Sequence, residues 1–145
     1  MASVSTYLNF SGNAEEAFDF YKSIFGTRFQ GDIMRWKDMP PQEDFPAVPE
    51  VEKNKVMHMA LPIIGGHLLM GGDQLDILGS PLIKGNNVEI NLQVDTQDET
   101  KRLFSRLSEG GEVTMELADT FWGDYFGSCV DKFGICWMVN CPEKA

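Results

Sequence analysis

The hydrophobic pattern of this chain changes period several times, and each change marks an element. Residues 4–10, rich in β-branched and aromatic side chains, predict a strand that Ser11-Gly12-Asn13 breaks. Ala14, Ala17, Phe18, Tyr21, Ile24 and Phe25 then recur at helical spacing. Glu15 and Glu16 fall in the first turn of that helix, Asn13 is its expected N-cap and Gly26 its stop. Residues 27–36 predict a strand ending at Arg35-Trp36. Residues 37–55, with Pro40, Pro41, Pro46, Pro49 and many carboxylates, predict a long loop, and long loops inside compact domains tend to be mobile or functional. Strands are expected at about 55–64 and 67–72, joined at Gly65-Gly66, with a loop over 73–86.

The order then restarts. Residues 87–95 alternate cleanly, with Val88, Ile90, Leu92 and Val94 on one face and Glu89, Asn91, Gln93 and Asp95 on the other. Thr96 caps an expected helix over 97–109, in which Leu103, Phe104 and Leu107 form the apolar stripe and Gly110-Gly111 the end. Strands are expected at 112–120, 124–131 and 135–141, with a tight turn at 131–134. Each half therefore reads strand, helix, three strands: an N-terminal module over 1–75 and a C-terminal module over 86–141, within one domain over 1–145. A helix covers only one face of such a sheet, so the other face is left for a ligand, a second module or a dimer mate.

Composition narrows the function classes. At 145 residues with 43% hydrophobic and 11% aromatic content, the chain can bury a real core. Twelve Lys and Arg against 22 Asp and Glu give a net charge of −10, which repels phosphate backbones and argues against nucleic-acid and anionic-membrane partners. No apolar run approaches a membrane span and no secretory leader is read at the start, so the expected location is cytoplasmic. Cys129, Cys136 and Cys141 form no CxxC pair and are expected as reduced thiols, and Cys136 and Cys141, in an apolar strand-like run, as buried structural ones.

Several motifs sit at fixed places in this doubled module. They are Tyr7-Leu8-x-Phe10-x-Gly12-Asn13-Ala14-Glu15-Glu16-Ala17, Phe20-Tyr21-x-x-x-Phe25-Gly26, Val56-Met57-His58 and Gly65-Gly66-x-Leu68-Leu69-Met70. The run from Asp119 to Gly127, with Phe121-Trp122-Gly123 inside it, and Asp131-Lys132-Phe133-Gly134-x-x-Trp137 complete the set. With them the chain resembles the vicinal oxygen chelate superfamily of glyoxalase I, extradiol dioxygenases and bleomycin-resistance proteins, and more closely its PhnB-like branch. The resemblance implies an α+β fold of two βαβββ modules forming a half-open curved sheet, the glyoxalase/bleomycin-resistance/dioxygenase fold, with helices on the convex face, a cavity on the concave face, and assembly as a homodimer.

The resemblance also implies where metal-dependent members carry His, Glu or Gln ligands. Those positions fall here at Thr6 or Tyr7, Met70, Glu89 and Met138. Only Glu89 is a hard-metal donor, and one carboxylate does not hold a catalytic divalent ion. No metal or other cofactor is therefore expected, with a divalent metal kept as the alternative. The ligand cavity is expected to use Tyr7, Met70, Glu89, Asn91, Trp122, Tyr125 and Met138. An aromatic wall with Glu89 would suit a flat or cationic ligand. His58, on a strand, is the candidate that could join Glu89 as a general base or ligand, while His67 is expected exposed in a turn.

Three readings compete. The first is a metal-free module that binds a small organic ligand in the sheet cavity. The second is a metal-dependent enzyme of lyase, isomerase or dioxygenase type using Glu89 and His58. The third is a structural or regulatory dimer with a filled cavity. PhnB-like sequences are sometimes labelled quinone methyltransferases, but no Gly-rich strand-to-helix turn followed by an acidic strand end occurs here to bind S-adenosylmethionine. Whether the chain is an enzyme stays open at this stage.

Overall fold

The structure, a computed structural model, describes residues 1–79 and 81–142, so Ser80 of the expected 73–86 loop lies outside the described residues. Close contacts divide the chain into two compact units, Met1–Ile83 and Lys84–Ala145.

In the first unit, β1 (Thr6–Phe10) leads into α1 (Ala14–Phe25), followed by β2 (Met34–Arg35), β3 (Val56–Pro62) and β4 (Leu68–Asp73). The strand order is β1-β4-β3-β2, with β1 parallel to β4 and the other pairs antiparallel. Leu8 and Phe10 turn towards α1, where the Phe10 and Phe18 rings meet edge to face at 6.1 Å. Ala14, Ala17, Phe18, Tyr21 and Ile24 form the buried stripe of α1, as their helical spacing predicts. Gly71 lies beneath this stripe: a β-carbon there would stand 2.7 Å from both the Leu8 carbonyl and the Phe18 ring, so glycine lets the helix sit directly on the sheet.

Two expectations change. Asn13 precedes α1 but its side chain makes no capping bond. The cap comes from the far end of the unit, where Asp73 Oδ1 accepts from the backbone N–H of Gly12 (2.9 Å) and Ala14 (3.0 Å). Asp73 Oδ2 accepts from Val56 N (2.9 Å), so one carboxylate ties β1, α1 and β3 together. The strand expected over 27–36 shrinks to Met34–Arg35. Gly31 at φ 76° interrupts extended backbone, and Trp36–Asp38 curls into a 3-10 turn.

The second unit repeats the plan: β5 (Ile90–Gln93), α2 (Gln97–Ser108), β6 (Glu112–Asp119), β7 (Tyr125–Val130) and β8 (Cys136–Cys141), in the order β5-β8-β7-β6. The fold is thus α+β with two four-stranded sheets, each βαβββ. Thr96 does cap its helix, accepting from Glu99 N at 3.2 Å. Thr100, Leu103, Phe104 and Leu107 are the buried stripe of α2. β5 is shorter than the 87–95 pattern, and Val88 is exposed. The turn at 131–134 is closed by Asp131, whose Oδ1 accepts from Phe133 N and Ile135 N. Its Oδ2 accepts from the Nε1–H of the fully buried Trp137 at 2.8 Å.

Cys129, Cys136 and Cys141 are buried thiols on β7 and β8. Burial pushes Cys129 up to about 12, with Asp131, Cys136 and Glu89 adding smaller upward effects. Such a thiol stays protonated and is a poor nucleophile. Among the described residues no helix is long and apolar enough to cross a membrane.

Candidate functional site

The sheet of the first unit has one face under α1 and one face open. Strand alternation puts Tyr7 and Asn9 on the open face of β1, and Met70 stands opposite Tyr7 on β4. Thr6 belongs to the other face: it pairs with the buried Leu69, and its Oγ1 and His67 Nε2 are hydrogen-bond partners at 2.9 Å. His67 is accordingly half-buried rather than exposed.

Tyr7 is fixed from two sides. Its hydroxyl donates to the Met57 carbonyl (3.1 Å), and its ring stacks on His58 with centroids 5.9 Å apart and an interplanar angle of 25°. Burial holds the phenol above the usual tyrosine range, so it remains a neutral donor. Gly72 makes this possible, because a β-carbon there would lie 2.5 Å from the Met57 carbonyl and 3.1 Å from the Tyr7 hydroxyl.

Beside Tyr7 the open face sinks into a pocket of about 390 Å³. Trp36 supplies a second aromatic ring to the lining, held by donation from its Nε1–H to the Asp73 carbonyl at 3.0 Å. Met57, Leu75 and Leu78 supply apolar surface, and Asn9 and Gln74 supply carboxamides. Neither carboxamide side chain makes a hydrogen bond within the described residues. Asp73 also lines the pocket, but both its carboxylate oxygens already accept from backbone amides. Apart from the buried Asp73, the lining is uncharged: two rings, three apolar side chains and two uncommitted amides.

The remaining expected site residues lie in the second unit. Glu89 is exposed just before β5, and Asn91 pairs with Met138 across β5 and β8. Trp122 is in the β6–β7 turn, its ring 5.9 Å from that of Phe126 and 5.0 Å from that of Phe121, which is 98% exposed. Tyr125 is placed differently from the expectation of a cavity wall. It pairs with the buried Cys141, and Lys101 of α2 stands over its ring at 5.9 Å, so it sits on the helix-covered face. Strand parity decides this, since Tyr125 and Phe126 must point to opposite faces.

A divalent metal is not matched by the residues at the positions the superfamily uses. A phenol, two thioethers and one carboxylate are the available donors at Tyr7, Met70, Met138 and Glu89. Glu89 belongs to the second unit and His58 to the first. Among the described residues no three His, Cys, Asp or Glu side chains gather into a ligand set.

Asn9, Trp36 and Gln74 are among the site residues that the sequence pattern alone does not single out. Asn9 carried a signal, being two residues from Tyr7 on the same strand face. Trp36 and Gln74 carried none, because each follows the end of a strand and is placed by a turn.

Comparison with known proteins agrees with this architecture. Residues 2–140 match the protein family described as 3-demethylubiquinone-9 3-methyltransferase. The chain is 29% identical to the Escherichia coli protein YjdN, over 97% of this chain and 96% of that one. Protein PA1353 of Pseudomonas aeruginosa shares 35% identity and a TM-score of 0.83, covering 99% of this chain and 100% of that one. A Bacillus cereus structure described as a putative 3-demethylubiquinone-9 3-methyltransferase, PhnB protein, gives 24% identity and a TM-score of 0.75, over 97% of this chain and 99% of its own. Structures of the glyoxalase/bleomycin resistance/dioxygenase family share the fold at lower identity.

Proposed function

The chain belongs to the PhnB-like family described as 3-demethylubiquinone-9 3-methyltransferase, within the vicinal oxygen chelate superfamily, and from that membership we propose that it binds a small, planar, neutral organic molecule without a metal ion. The observation that carries this reading is the open-face pocket of about 390 Å³ between Tyr7 and Trp36. That volume falls within the usual range for small-molecule sites. The two rings offer stacking surface, and the amides of Asn9 and Gln74 offer a donor and an acceptor each. The Asp73 carboxylate is buried and accepts from three backbone amides, so it is poorly placed to meet a cation in the pocket. The flat ligand expected from the aromatic content is retained and the cationic one is dropped for this pocket. Methyl transfer is not part of the proposal, since the sequence lacks the Gly-rich, acid-terminated turn that would seat its cofactor.

A bicyclic lactam such as quinolin-2-one tests it, because it is planar and neutral and pairs one donor with one acceptor. Ligand-observed NMR and calorimetry should show saturable binding that weakens about three- to tenfold in Asn9→Ala or Gln74→Ala, the worth of one hydrogen bond. Tyr7→Leu should also weaken it by removing the stacking wall. No binding by quinolin-2-one or related lactams, or binding indifferent to all three substitutions, would overturn the proposal. Stoichiometric metal retained after dialysis would overturn its metal-free part.

A further inference from the structure

Trp36 also lines a second pocket. Residues 37–55 do not trail loosely between β2 and β3. Trp36 N donates to the Lys55 carbonyl and Lys37 N to the Lys53 carbonyl, both at 3.0 Å, so the two ends of the segment are laced together. Arg35 reinforces this closure, donating through its guanidinium to the Asn54 carbonyl and to both carboxylate oxygens of Glu15. Glu52, buried, accepts from Asp76 N (2.7 Å) and Lys55 Nζ (3.2 Å) at the base. The result is a compact loop with joined ends, stiffened by Pro40, Pro41, Pro46 and Pro49.

Inside this loop is a pocket of about 450 Å³. Trp36 and Phe45 stack along one side, ring centroids 6.1 Å apart and 14° from parallel, and Met39 and Val48 add apolar surface. Among the described residues its only charged lining residues are Lys37 and Lys53. Lys53 pairs with Glu50 at 2.9 Å, whereas Lys37 makes no ion pair among the described residues. Among the described residues no carboxylate lines the pocket, although acidic residues outnumber basic ones 22 to 12 in the chain. Nearby Asp38 turns its Oδ2 to the Arg35 backbone N–H.

From this juxtaposition we infer that the 36–53 loop is a second binding site, for a small planar anion such as an aromatic carboxylate. The ring system lies against the Trp36–Phe45 stack and the carboxylate is met by the Lys37 ammonium. A rigid loop gives such a site its affinity, because little ordering is needed on binding. The inference goes beyond the neutral-ligand reading of the open-face pocket and draws on different residues, with Trp36 alone in common.

The test uses 2-naphthoate and its neutral counterpart 2-naphthamide, titrated by calorimetry into the full chain at low salt. Naphthoate is expected to bind at least about tenfold tighter than naphthamide, the preference fading as salt screens the charge. Phe45→Ala, and separately the double variant Lys37→Gln/Lys53→Gln, should each weaken naphthoate about tenfold or more. Both sets of changes lie on a surface loop, and circular dichroism checks that each variant is folded. Asn9→Ala, which alters only the open-face pocket, should leave naphthoate binding unchanged. The inference is overturned by no naphthoate binding up to about 5 mM, by equal binding of the amide, or by loss of binding in Asn9→Ala with Phe45→Ala unaffected.

Discussion

Replacing Asp73 by alanine tests the account of how the first unit is held together. Asp73 is 4% exposed and accepts three backbone hydrogen bonds, from Gly12, Ala14 and Val56, all at 2.9–3.0 Å. Alanine leaves those three N–H groups without their acceptor and removes a negative charge from the positive end of α1. A buried donor left unsatisfied costs about 1–3 kcal/mol, and the Gly12 site is partly open to water. The expected loss is therefore about 3–5 kcal/mol, a large share of the roughly 5–15 kcal/mol that holds a typical domain folded. Asp73→Asn keeps one carbonyl for the Gly12 and Ala14 amides and turns an NH₂ towards Val56 N, so it should cost less, about 1–2 kcal/mol. Urea unfolding followed by tryptophan fluorescence and by far-UV circular dichroism measures both, with the denaturant slope confirming that the unfolding reaction is unchanged. A loss below about 1 kcal/mol for Asp73→Ala would refute the reasoning, as would equal losses for the two variants.

Two further outcomes follow from the packing. Gly71→Ala should cost about 1–3 kcal/mol in the same assay, because its methyl meets the Leu8 carbonyl and the Phe18 ring at 2.7 Å and α1 must shift; an unchanged midpoint would mean the helix–sheet contact is loose. For Cys129 the folded pKa, about 12, lies above the unfolded value near 9.0, so the unfolded chain loses its thiol proton first as pH rises. Its contribution to stability is intact below pH 9 and is lost progressively as pH rises from 9 towards 12. A difference between native and Cys129→Ala stabilities that stays flat across that window would contradict the burial.

Much of the local structure follows from the sequence alone. The stripe Ala14, Ala17, Phe18, Tyr21, Ile24 specifies α1 because helical periodicity leaves one face to bury, and Gly26 stops it in the left-handed conformation at φ 66°. The Thr96 cap is equally legible, since donor and acceptor lie three residues apart. The alternation at residues 90–94 separates buried Leu92 and Val94 from exposed Asn91 and Gln93. The doubling of strand, helix and three strands is visible as a repeat of these patterns, and both copies fold with the same strand order.

What depended on residues distant in the chain was not legible. Asn13 has the chemistry of a cap, yet Asp73, about sixty positions away, takes that role because parallel pairing of β1 with β4 brings its carboxylate to the first turn of α1. Strand parity separates Tyr125 from Phe126, but which of the two lies on the side of α2 depends on how the helix packs on the sheet, which no local pattern states. The pocket is of the same kind. Tyr7 is assigned to the open face by strand parity, but Trp36 is brought to the same pocket from beyond β2, where its Nε1–H bonds the Asp73 carbonyl. Sequence determined the elements and their buried faces, because periodicity and short-range capping are properties of neighbouring residues. Tertiary structure decided the caps, the register and the pocket, because those depend on distances that exist only after strands from opposite ends of a unit have paired.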